Sequence, residues 1–135
     1  MKAVKRLLTV LLLTYCGVVL AAKPIENIVD VAVPEKTDGG SLSLEQIRNA
    51  IVAGCKYKRW TPVVDEEGKV SCSILVRARH YAEVDIPFTE SSFSIMYKDS
   101  RELDYNEAKQ RIHRNYNKWV IMLSETVQHE LANVD

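Results

Sequence analysis

Histidine, cysteine and glycine are all scarce in this chain, and the scarcity removes most routes to chemistry. The three histidines, His80, His113 and His129, lie too far apart for the short ligand spacing of a zinc motif, and no nucleotide-binding or catalytic motif is present. No metal, no cofactor and no catalytic residue is therefore assigned. Charge of one sign is lacking too: 18 Lys and Arg balance 18 Asp and Glu, mixed along every segment. A nucleic-acid binder would carry a basic stripe to neutralise phosphates, so no nucleic-acid partner is implied.

What is present begins with an export signal. Lys2, Lys5 and Arg6 form a positive start, Leu7 to Leu20 is mostly apolar, and Ala21-Ala22 supplies small residues for cleavage before the polar Lys23-Pro24. A spanning helix needs about 20 apolar residues, more than this run offers. Residues 1–22 read as a cleaved signal peptide, which places the protein in the periplasm. The alternative is a lipoprotein signal in which Cys16 is lipidated and anchors the chain to the envelope. Tyr15 argues against it, because such signals carry a small residue before the cysteine. Contact with a membrane is expected only if Cys16 is lipidated. Removing the signal takes away three cations and no acid, leaving a mildly acidic remainder long enough for one domain with one core.

Residues 23–41, with Pro24, Pro34, Gly39 and Gly40 and no sustained period, read as an extended leader. Residues 42–135 read as a single α+β domain. Ser43 and Gln46 form a capping box, with Leu42 and Ile47 as a hydrophobic staple, and Leu44, Ile47, Ile51 and Cys55 mark one helical face. From Trp60 the period becomes two. Strands are expected over Trp60–Asp65, Val70–Arg77, His80–Phe88 and around Phe93–Tyr97, with Gly68 in the first hairpin and a tight reversal near Ala78-Arg79. A second helix is expected from Leu103-Asp104, capped with Glu107, its stripe running from Ile112 through Tyr116, Val120, Leu123 and Val127 to Leu131. The fold class is thus a two-layer α+β sandwich, α-β-β-β-β-α: a four-stranded antiparallel meander with both helices on one face. The other face is left polar, with Ser71, Ser73, Ser94, Glu83 and Asp85 beside Arg77, Tyr81 and Lys98, the last three being its candidate binding residues.

Cys55 and Cys72 both fall on inward faces and form a candidate disulfide, provided they meet near a sheet edge; otherwise they are two buried thiols. His80, Tyr97, Asp99, Ser100, His113 and Asn117 form a candidate polar pocket, for which the competing reading is ordinary hydrogen bonding where helix meets sheet.

The run Phe93-Ser94-Ile95-Met96-Tyr97-Lys98-Asp99-Ser100, followed by Ile112-His113-Arg114-Asn115-Tyr116-Asn117-Lys118-Trp119, resembles the YSIxYxDS strand and IHxNYNxW helix of an uncharacterised family of small proteobacterial exported proteins and lipoproteins. The likeness spans roughly residues 42 to 131, with departures at Tyr15 and Arg59. It implies an exported compartment and the same fold, and no activity. Two functions follow as expectations. One is a non-enzymatic envelope module that binds an envelope protein or cell-wall component. The other is a small periplasmic hydrolase using His80 or His113 as general base, which requires Ser100 within hydrogen-bond reach of a histidine.

Overall fold

The computed structural model describes residues 22–135; the signal peptide reading and Cys16 lie outside them. The first helix, α1 (Leu44–Tyr57), starts as its sequence dictates. Ser43 Oγ accepts from the Gln46 backbone N–H at 3.1 Å while Gln46 Oε1 accepts from the Ser43 N–H at 3.0 Å, and Leu42 and Ile47 are buried beneath the cap.

After α1 come β3 (Thr61–Val64), β4 (Val70–Val76), β5 (His80–Asp85) and β6 (Ser92–Arg101), an antiparallel meander; β1 (Lys23–Pro24) and β2 (Ile28–Ala32) precede the helix. Gly68, at φ +81°, closes the β3–β4 hairpin, and Arg77 and Ala78, at φ +54° and +55°, make the reversal between β4 and β5. On the inner side Cys72, Ala82, Val84, Phe93 and Ile95 are buried.

Two elements differ from the sequence reading. The leader is not outside the sheet: β2 pairs antiparallel with β6, making five strands in the order β2-β6-β5-β4-β3. A bulge between Ile28 and Val31, with Asp30 at φ +53°, breaks the period of two, so the pattern carried no strand signal. The second helix, α2 (Asn115–Ala132), begins ten residues later than an N-cap at Asp104 predicts. Glu102, Asp104 and Gln110 all have positive φ, and Asn106 bridges to Arg111, so the capping signature at Asp104 and Glu107 belongs to a folded loop. Ile112, expected on the helical stripe, is instead buried in β7 (Arg111–Ile112), which pairs with β1.

From Tyr116 onward the stripe is as expected: Tyr116, Val120, Leu123, Val127 and Leu131 are buried. The helices run antiparallel, with Gln46 Nε2 donating to the Asp135 carbonyl at 3.4 Å, and they touch at Gly54, where an added Cβ would lie 2.9 Å from Val127 backbone atoms. Cys55 of α1 and Cys72 of β4 come within disulfide-bonding distance, Cα atoms 6.6 Å apart, at the contact between the helix layer and the sheet. No helix among the described residues is long and apolar enough to cross a membrane.

Candidate functional site

The helices cover one side of the sheet only, so the opposite side is built from the residues that alternate with the core. Across it run the rows Val63–Ser71–Asp85–Met96 and Leu75–Tyr81–Arg101, with Ser73 and Glu83 between them. Leu75 is 60% exposed and Val63 58%, which is high for strand residues of this size. A register shift in β6 sets Lys98 between the pairs Glu83–Asp99 and Val84–Tyr97.

That shift lets one charged chain form. Arg101 lies over the Tyr81 ring, 4.2 Å from its centroid; Tyr81 Oη donates to Glu83 Oε2 at 3.0 Å; Lys98 Nζ sits 2.9 Å from Glu83 Oε1 and 3.6 Å from Asp85 Oδ1. The hydrogen bond from Lys98 holds the Glu83 carboxyl below its ordinary range, and the same contact pushes the Lys98 ammonium up. Burial, reinforced by Glu83, raises the Tyr81 phenol. At neutral pH the chain therefore keeps its charges in place. At its Asp85 end the face runs into an open cleft of about 800 Å³ between the β3–β4 hairpin and Ile86–Phe88, bordered by Leu44, Arg48, Val63, Phe88, Met96 and Lys98.

Of the candidate binding residues, Tyr81 and Lys98 belong to this chain, while Arg77 stands exposed at the β4–β5 turn. Ser94 is not on the open surface: it is buried and accepts the Asp30 N–H at 3.0 Å, because β2 covers that end of β6.

The candidate pocket residues each have their own partner. Tyr97 Oη and Ser100 Oγ are 2.9 Å apart, and Asp99 Oδ1 accepts the Ser100 N–H at 2.8 Å. His80 Nδ1 is 2.8 Å from the Glu102 carbonyl, and His113 Nδ1 accepts the Asn115 N–H at 3.3 Å. Neither histidine is hydrogen-bonded to Ser100. Asn117 turns to the leader, its Nδ2 donating to the Pro24 carbonyl at 2.9 Å and its Oδ1 accepting the Glu26 N–H at 3.1 Å. Neither of the two cavities described is lined by any of these six residues. Tyr97 instead packs in an aromatic cluster, stacked on Tyr105 at 4.5 Å and edge-on to Tyr116 at 5.6 Å. The Tyr116 hydroxyl is buried without a hydrogen-bonding partner among the described residues, and burial pushes its ionisation far above the ordinary range. No three His, Cys, Asp or Glu side chains among the described residues are grouped to hold a metal.

Comparisons with family models, curated proteins and solved structures return no match to this chain. The helix-free face and its cleft are the features of this chain that bear on function. Sequence patterning pointed to the face through its alternation, but not to the cleft, since Leu44 and Phe88 come from segments that meet only in the fold.

Proposed function

We propose that this chain is an exported cell-envelope module, without catalytic activity, that binds a protein partner through the helix-free face of its sheet. The observation that carries the proposal is the Arg101–Tyr81–Glu83–Lys98–Asp85 chain, flanked by exposed Leu75 and Val63 and running into the cleft. Tyr and Arg beside protruding aliphatic side chains, with polar groups held in fixed geometry, is the composition of a protein recognition surface. The edges of the same sheet suit a partner poorly. Pro62 in β3 lacks an N–H to offer a further strand, and Asp30 sits at the bulge in β2. Export is supported by the charged, apolar and small-residue layout of residues 1–22 and by the Cys55–Cys72 pair, which an oxidising compartment would bridge.

A photo-reactive amino acid at Leu75 should give a discrete protein adduct in intact cells. Combining Arg101→Ser, Tyr81→Ser and Lys98→Ser should cut the yield about tenfold or more, since aromatic and Arg anchors carry most of the binding energy in such surfaces. An unchanged yield in the triple variant, or no adduct from Leu75, would remove this face as the binding surface.

A further inference from the structure

The strand connections gather charge by sign. The α1–β3 connection and the β4–β5 turn lie at the same end of the sheet, because Thr61 pairs with Ser73 and Val76 with His80. With the last turn of α1 they carry Lys56, Lys58, Arg59, Arg77 and Arg79. The start of α2 reaches the same end, since Arg79 is ion-paired to Glu102 at 3.3 Å and the His113 N–H donates to the Leu103 carbonyl at 2.8 Å; this adds Arg114. Of the six cations only Arg79 is in an ion pair among the described residues, and all but half-buried Lys58 are exposed. Glu26, Glu102, Asp104 and Glu107 are the acids nearby. The far end carries Glu45, Asp65, Glu66, Glu67, Asp85 and Glu90, with Arg48, Lys69 and Lys98 among them, of which Lys69 and Lys98 are paired to Glu67 and Asp85.

Two further features belong to the basic end. Tyr57 is 72% exposed there, the largest exposure of any big apolar side chain described, with Lys58 Nζ 5.9 Å from its ring. The chain also enters the body there: the Ala22 carbonyl accepts from Arg111, and β1 pairs with β7 immediately before α2.

We propose that this basic end docks the folded domain onto an anionic lipid bilayer, independently of any lipid on Cys16 and of whether the helix-free face binds a partner. Charge complementarity selects the occupant. Cations on three separate connections form a broad, shallow array that suits a plane of headgroup phosphates. An exposed tyrosine beside lysine is the side chain that settles at a membrane–water interface. The acidic end, repelled by the same surface, points away and fixes the orientation.

The test uses protein purified from the exported fraction, with its N-terminus defined by intact mass, sedimented with phosphatidylcholine vesicles with and without phosphatidylglycerol. Binding is expected only with phosphatidylglycerol, and should fall steeply between about 0.1 M and 0.5 M salt. Lys56→Gln, Lys58→Gln, Arg59→Asn and Arg77→Asn together should weaken it about 100-fold or more, at roughly fivefold per cation. Arg59 and Arg77 sit at φ +62° and +54°, where asparagine is tolerated, so the change is fold-compatible. Lys58→Gln with Arg77→Asn alone, should the full set not fold, is expected to weaken binding more than tenfold. Lys36→Gln with Lys69→Gln, toward the acidic end, should leave binding unchanged. Equal binding to neutral vesicles, full binding by the basic-end variants, or capture by soluble polyphosphate with none by anionic vesicles would each overturn the proposal.

Discussion

Replacing Cys55 and Cys72 together by alanine is expected to lower the unfolding free energy by about 3 kcal/mol, seen as a fall in melting temperature of about 10–20 °C. The two residues are 17 apart in sequence and both are fully buried. Bridging them removes loop-closure entropy from the unfolded chain, and losing the pair also removes packing between α1 and β4. Addition of reductant to the unmodified protein should reproduce most of the loss. A melting temperature indifferent to both treatments, with an intact mass showing two free thiols, would contradict the bridge.

The second large effect is at Gly54. On an exposed helix, alanine in place of glycine stabilises by about 1 kcal/mol. Here the added methyl would lie 2.9 Å from the Cα, N and Cγ2 of Val127, two of them backbone atoms that no rotamer change can move, while Thr126 Oγ1 donates to the Gly54 carbonyl at 3.1 Å. Separating the helices enough to admit it strains that hydrogen bond and opens the packing of Ile51 and Leu123. Gly54→Ala is therefore expected to destabilise by about 2 kcal/mol, within the range for overpacked cores, and Gly54→Val by more. Chemical denaturation gives the comparison directly. A stabilised Gly54→Ala protein would mean that α1 and α2 do not approach this closely.

Both effects arise where local signals in the sequence agree with the fold. The capping box at Ser43 and Gln46, the glycine at 68 and the alternation from Val70 to Phe88 each depend on a few neighbouring residues, so α1, the first hairpin and the meander could be read directly. The Cys55–Cys72 pair was legible as two inward positions, though not as a measured approach. Elements whose determinants are distant in sequence were not legible. β2 shows no alternation because its bulge at Asp30 is stabilised by Ser94, 64 residues away. The false start of α2 carries a genuine acidic capping pattern, overridden by positive φ at Glu102, Asp104 and Gln110 and by the pairing of β7 with β1.

The candidate sites divide in the same way. Tyr81 and Lys98 could be placed on one face by period alone, whereas their connection through Glu83 depends on the register shift in β6, which no pattern announces. Asn117, which looks like a pocket residue on the helix, is occupied with the leader backbone, and that follows only once the leader is seen to fold back. The basic end was invisible because its cations are divided among three connections, each with a modest charge; the turns of the meander bring them together.

Oxidative footprinting in intact cells, compared with the purified protein, bears most directly on the central claim. If a partner covers the helix-free face, Leu75, Tyr81 and Met96 lose labelling in cells, while Ile121 and Met122 on the outer side of α2 are labelled equally in both states. Protection of Ile121 and Met122 with unchanged labelling of Leu75 and Tyr81 would place the interaction on the helices and contradict the account.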